Sequence, residues 1–253
     1  MKRIAIKVGS NVLTREGSVL DHTRISALVD QIAQLRRRGI EVILISSGAV
    51  AAGKGLCLAG EHLDDVSKRQ LYSAVGQVKL VYTYYELFRE YGYLCGQVLT
   101  IKENFFDPEH YKNQKNCMEA MLEHGVIPIV NENDTTSVTE LMFTDNDELA
   151  GLVTRMTSAD MLIILSNSNG ICKSADPDAE VIPKVLPYDN SWMEYIRTDK
   201  SSAGRGGMMS KCNFAASLAR DGYPVIIANG KRNNVIIDVL DNPDAICTRF
   251  VTR

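Results

Sequence analysis

Six short polar or acidic side chains, Asn131, Asn133, Asp134, Asp145, Asn146 and Asp147, follow the apolar run Val126-Ile127-Pro128-Ile129-Val130. A strand that ends in a loop holds such groups rigidly at the edge of a sheet without burying them. Carboxylates and carboxamides there can grip an ammonium group, a metal ion or basic side chains. Turn formation and helix capping explain part of the stretch, with Asp145 well placed to cap a helix through Leu149, Leu152, Val153 and Met156. Capping needs one such residue, so the stretch reads as a site in which one or two members are caps.

Two lysines stand in contexts that point to an anion. Lys7 interrupts the apolar run Ile4-Ala5-Ile6-Lys7-Val8 and precedes Gly9-Ser10-Asn11. A lysine inside a strand either faces water at a sheet edge or is aimed at a negative group, and the small residues beyond it favour the second reading. Lys211 follows the glycine-rich segment Ser201-Ser202-Ala203-Gly204-Arg205-Gly206-Gly207-Met208-Met209-Ser210 and opens the helix Cys212 to Arg220. Glycines before a helix start expose backbone N–H groups and the helix dipole to phosphate, and the lysine adds full charge. The strand Ile40 to Ile45 running into Ser46-Ser47-Gly48 is a third turn able to present backbone donors. Two lysines on separate elements favour phosphoryl transfer, which is chiefly positioning and charge neutralisation and needs no protein nucleophile.

Other chemistries lack their patterns. The sequence has no Walker A loop, no G-x-G-x-x-G, no G-x-S-x-G and no H-E-x-x-H, and His22, His62, His110 and His124 have no partner pattern. No metal site is assigned. The six cysteines are scattered without a C-x-x-C pair and read mostly as buried thiols. A formal net charge of -3 and 45% hydrophobic content fit a soluble α/β protein and argue against a surface built for nucleic acid or an anionic membrane. No apolar run has the length of a signal peptide or membrane span, so a cytoplasmic enzyme or binding protein is the expectation.

The elements that must carry these groups alternate. Strand patterns at Ile4 to Val8, Ile40 to Ile45, Leu94 to Ile101 and Val126 to Val130 are separated by helical patterns at His22 to Arg38, Val66 to Tyr91 and Tyr111 to His124. This alternation predicts a three-layer αβα domain around one mainly parallel sheet. Further strands are expected at Met161 to Leu165, Pro224 to Ala228 and Thr248 to Val251, a short helix at Asn233 to Leu240, and loops with a short hairpin over Lys173 to Asp199. Within Val66 to Tyr91, Leu71, Val75, Val78, Tyr82, Tyr85 and Phe88 share one side of a helix, or of a helix pair broken at Gly76, and read as core or subunit contacts. The stretch could supply the interface of a homo-oligomer. No linker divides residues 1–253.

Taken in order, Ile6-Lys7-Val8-Gly9-Ser10, Ser46-Ser47-Gly48, Ala74-Val75-Gly76-Gln77, Asn131-Glu132-Asn133-Asp134, Asp145-Asn146-Asp147 and Gly204 to Lys211 resemble the amino acid kinase family, in particular its glutamate-phosphorylating members. The resemblance spans essentially the whole chain. It implies the amino acid kinase fold and ATP-dependent phosphorylation of the γ-carboxylate of L-glutamate with Mg²⁺, the first step of proline synthesis, commonly under feedback inhibition by proline. It also implies roles: Lys7 and Lys211 neutralise the transferring group, Asp147 orders both lysines, and Ser47, Gly48, Asn131, Asp134 and Asn146 hold glutamate. Arg205, Gly206, Gly207, Met208, Met209, Ser210 and Lys211, with Lys7 and the Ser166-Asn167 turn, hold the nucleotide. Three departures stand out: Ser166-Asn167 replaces the usual aspartate turn, Cys247-Thr248-Arg249-Phe250 replaces a Gly-Thr-Leu-Phe pattern, and a kinase-only form without the PUA domain of many members is expected. A kinase for aspartate, N-acetylglutamate or carbamate, or a non-catalytic sensor of the same fold, are the alternatives.

Overall fold

Side chains along a strand alternate between the two faces of its sheet, and β1 (Arg3–Val8) shows what each face must fill. In the computed structural model, which describes residues 1–136, 143, 145–174, 179–196 and 207–252, Ile4, Ile6 and Val8 enter one apolar cluster. They meet α2 (His22–Arg37), α4 (Asp65–Arg89) and α8 (Val235–Asp241). Ala5 enters the opposite cluster, with α5 (Pro108–Glu123), α6 (Asn146–Met156) and α7 (Met208–Arg220). The result is the expected three layers. Lys7 shares the parity of Ala5 and therefore points toward the α6 and α7 side.

The sheet between the layers has eight strands in the order β3-β4-β2-β1-β5-β7-β8-β6. Its members are β1, β2 (Glu41–Ser46), β3 (Cys95–Thr100), β4 (Ile127–Glu132), β5 (Met161–Ser166), β6 (Lys184–Val185), β7 (Val225–Asn229) and β8 (Thr248–Phe250). Every pairing is parallel except β7 with β8. The sheet-edge alternative for Lys7 is excluded, because β1 is paired on both sides, with Lys7 level with Ile45 of β2 and Ile164 of β5. The chain winds from β1 to β2 on one side and returns to β5 on the other. Such a reversal opens a crevice at the carboxyl ends of the strands.

Sequence and structure differ on α4. It runs unbroken through Gly76, and a Cβ added there would lie 1.9 Å from the carbonyl oxygen of Ala49 in α3 (Ala49–Lys54). Gly76 is thus a point of helix contact rather than a break. The apolar stripe is also not core: Leu71, Val78, Tyr82 and Tyr85 are exposed, and of that row only Phe88 is fully buried. Among the cysteines, Cys212 and Cys247 are buried, Cys57, Cys95 and Cys172 half-buried and Cys117 exposed, so burial is less general than the sequence pattern indicated. The loop region forms an antiparallel bridge between Cys172 and Val181, and β6 joins the sheet edge beside β8.

Candidate active site

Helix starts converge on the carboxyl ends of the central strands. α1 (Ser10–Leu13) follows β1, α3 follows β2, and α6 and α7 begin beside them. Gly48 caps α3 with φ +106°, a backbone conformation that side chains with a Cβ rarely adopt. Asp145 caps α6, its Oδ1 accepting the N–H groups of Asp147 at 2.8 Å and Glu148 at 3.1 Å. Ser210 in the first turn of α7 donates to Asp145 Oδ2 at 3.2 Å, so one carboxylate ties two helix starts together. Between these ends lies a cavity of about 790 Å³.

One end of the cavity is cationic. Lys7 Nζ lies 2.6 Å from Asp147 Oδ1, and Lys211 Nζ bonds Asp147 Oδ2. Asp147 is 1% exposed, Lys7 6% and Lys211 8%. Burial opposes ionisation of Asp147, but the two ammonium groups outweigh it and hold the carboxyl below the usual carboxylate range. Burial, together with the charge of Lys211, pulls Lys7 below the ordinary lysine range despite the attraction of Asp147. Two lysines against one carboxylate leave a single positive charge facing the cavity, a surplus available to phosphate oxygens.

The other end is anionic. Asp134 and Glu132 are buried, and Arg69 of α4 bridges them. Arg69 Nε donates to Asp134 Oδ1 at 2.9 Å, and Nη2 bonds the same oxygen and Glu132 Oε2 at 3.1 Å. Ser73 donates to Asp134 Oδ2 at 3.3 Å. The Asp134 carboxylate lines the cavity at this end and is suited to an ammonium group.

Amides connect the two ends. Asn146 Nδ2 donates to Ser47 Oγ at 2.8 Å and to Asn131 Oδ1 at 3.0 Å, and Asn131 Nδ2 donates to Gln77 Oε1 at 2.9 Å.

Of the residues singled out in the sequence, Lys7, Ser47, Gly48, Asn131, Asp134, Asp145, Asn146, Asp147, Ser166, Asn167, Met208 and Lys211 line this cavity. Gly207 caps α7 beside it, Met209 packs half-buried against the second apolar cluster, and Arg205 and Gly206 lie outside the described residues. Asn133 accepts from Thr135 Oγ1 at 2.6 Å at the turn after β4. Sequence reasoning missed Arg69 and Ser73, and it noted Gln77 only within the Ala74-Val75-Gly76-Gln77 motif without a place in the site. Their spacing of four residues was the available signal: it makes one polar ridge on α4, which meets Asp134 and Asn131.

Among the described residues no group of three His, Cys, Asp or Glu could hold a metal ion on protein ligands alone. Both oxygens of Asp147 face lysines. This donor set fits magnesium carried on nucleotide phosphates, the usual way that ion is held in phosphoryl-transfer sites.

A parallel sheet with crossover helices on both faces and a phosphate-type cation pair at its carboxyl edge describes a phosphotransferase architecture. The amino acid kinase family model matches residues 2–229, and the chain belongs to that family. The glutamate 5-kinase of Bacteroides thetaiotaomicron is 58% identical over 98% of this chain and 70% of its own length. That of Clostridium acetobutylicum is 38% identical over 95% of this chain and 91% of its own. A carbamate kinase from Giardia lamblia bound to AMP-PNP has the same fold, with a TM-score of 0.70, 15% identity, and coverage of 100% of this chain and 99% of that one.

Proposed function

We propose that the chain transfers the γ-phosphoryl group of ATP to the γ-carboxylate of L-glutamate, giving γ-glutamyl 5-phosphate and ADP, the first step of proline synthesis. The observation that carries this reading is the cavity's charge division: Lys7, Lys211 and Asp147 at one end, Asp134 at the other, and an amide bridge between. The names borne by its relatives supply the acceptor.

The α-ammonium of glutamate pairs with Asp134. Its side chain then lies along Asn131, Asn146, Ser47 and Gly48, with the γ-carboxylate toward Lys7. A γ-carboxylate oxygen attacks the γ-phosphorus, and the bond to the β,γ-bridging oxygen breaks as ADP departs. The acceptor is already ionised at neutral pH, so the step needs no protein base. Lys7 and Lys211 meet the charge on the equatorial oxygens, and Asp147 keeps both ammonium groups aimed at it. Lys7, the Ser166-Asn167 turn and the residues from Arg205 through Lys211 hold the nucleotide, and magnesium on its phosphates neutralises further charge when bound.

The whole chain, residues 1–253, acts as one amino acid kinase domain in the cytoplasm, and among the described residues no helix is long and apolar enough to cross a membrane. A homo-oligomer uses the exposed stripe of α4, and proline is a candidate feedback inhibitor. Trapping the acyl phosphate with hydroxylamine tests the reaction. ATP, Mg²⁺ and L-glutamate should give the hydroxamate faster than aspartate, N-acetylglutamate or carbamate gives product. Preference for another acceptor would reassign the substrate, and absence of turnover with every acceptor would leave the sensor reading.

A further inference from the structure

The polar ridge of α4 does more than support the acidic end of the cavity. Arg69 spends Nε and Nη2 on Asp134 and Glu132, while Nη1 meets no acceptor among the described residues. Its side chain is 23% exposed and lines the cavity. A guanidinium offers five donors in a rigid fork, so fixing one edge aims the remaining N–H groups in a defined direction. Asp134 is similarly disposed: Arg69 occupies Oδ1, and among the described residues Oδ2 carries only the long contact from Ser73. The site therefore presents, side by side, a fixed anion and a guanidinium edge that no protein acceptor occupies among the described residues.

That juxtaposition matches the head group of an α-amino acid, whose ammonium and carboxylate are borne by one carbon. Resting on the reading of the acceptor as glutamate, we propose that Arg69 binds the substrate's α-carboxylate through Nη1 while its other edge holds Asp134 for the α-ammonium. Arg69 then makes the site select a zwitterion over an ammonium or a carboxylate alone. Lys54 also lines the cavity, with its ammonium 5.8 Å from the centroid of the Tyr72 ring. Nothing comparable fixes its direction, so the guanidinium is the better-ordered partner.

L-Isoglutamine tests this, because it keeps the α-ammonium and γ-carboxylate but replaces the α-carboxylate by a neutral amide. Compare kcat/KM for L-glutamate and L-isoglutamine in wild type, Arg69→Gln and Arg69→Lys by hydroxamate trapping. Inhibition constants against glutamate replace turnover wherever isoglutamine product is below detection. Wild type should prefer glutamate, and Arg69→Gln should lower kcat/KM for glutamate roughly ten- to hundred-fold, the range of a lost charge-assisted hydrogen bond. Because the same change frees Asp134, isoglutamine should lose as well, but glutamate should lose roughly ten-fold more, the share of the α-carboxylate contact. Arg69→Lys should recover part of the preference, and the KM for ATP should stay within about twofold, since the lysine end is untouched.

Equal losses for the two acceptors would overturn the contact and leave Arg69 as a support for Asp134. A matching rise in the KM for ATP would mark a general distortion and overturn it too. If wild type neither turns over nor binds L-glutamate by calorimetry, the underlying reading of the acceptor fails instead, a result distinct from either.

Discussion

Replacing Asp147 by asparagine removes one charge and keeps the shape. The change leaves Lys7 and Lys211 buried side by side with no carboxylate between them, at positions where each now has an oxygen of Asp147. Each lost charge-assisted contact is worth about 1.5–3 kcal/mol. Asparagine keeps one acceptor oxygen, so about one contact is lost, and at 1.36 kcal/mol per decade a cost of ~1.5–3 kcal/mol lowers kcat by ~10–10². Asp147 touches the lysines and not the amino-acid end, so the KM for glutamate should move by less than about threefold. Hydroxamate trapping over a glutamate titration separates the two parameters. A raised KM with kcat unchanged would refute the role of Asp147 as the holder of the lysines and place it on the substrate side.

The same substitution has a pH signature. Asp147 titrates below the usual range in the folded protein, so its stabilisation is complete above the unfolded carboxylate pKa and is lost as pH falls through the folded value. Lys7 titrates below its ordinary range, so the folded state binds fewer protons than the unfolded chain between the two values. Stability from this group therefore rises with pH across that window. Removing Asp147 pulls Lys7 lower still and widens the window. The thermal melt of Asp147→Asn should accordingly recover toward wild type as pH rises from neutral toward 10, followed by circular dichroism. A deficit that is constant over this range would show that the lysines do not carry the effect.

Wild-type activity should show an alkaline limb below the ordinary lysine pKa, as Lys7 loses its proton, and nucleotide phosphate should push that limb upward. The fall in kcat/KM should thus begin at lower pH than the fall in kcat, and coincident limbs would argue against titration of Lys7. Lys211→Ala should abolish measurable turnover while circular dichroism stays native, and residual activity within about tenfold of wild type would exclude its role at the transferring group. Gly76→Ala should lower the melting temperature by more than an ordinary helix substitution, because its Cβ would meet the backbone of α3 at 1.9 Å. Val78→Glu, on a residue 73% exposed, should leave the fold intact and lower the mass by light scattering if this stripe joins two copies.

Much of the fold was legible because parallel strands buried on both faces read as unbroken apolar runs, and the crossover helices carry their own caps and periodicity. Lys7 and Lys211 stood out for a related reason: a charge inside such a run, or beside glycines at a helix start, has few structural explanations, whereas the role of Asp147 came only from the family resemblance. The α4 helix misled, because apolar periodicity there marks an exposed stripe. Its core contacts come from Leu80, Tyr84 and Phe88, together with the glycine crossing. Apolar spacing cannot distinguish a face buried against the sheet from one left on the surface. Asp145 was undecidable between cap and site in the sequence, and its geometry makes it a cap that also links α6 to α7.

The arrangement of charge explains why the site needs both ends of α4's polar ridge. A buried lysine pair around one carboxylate and a buried carboxylate facing the cavity at the other end would each be costly in isolation. The amides of Gln77, Asn131 and Asn146 join them without adding net charge. Ligand charges complementary to each end lower the cost of both, so an acceptor with an ammonium near one end and a reacting carboxylate near the other fits better than a simple dianion. The direction of the acceptor in the cavity follows from that asymmetry. Reversing it would set its α-ammonium against the lysines and its γ-carboxylate against Asp134.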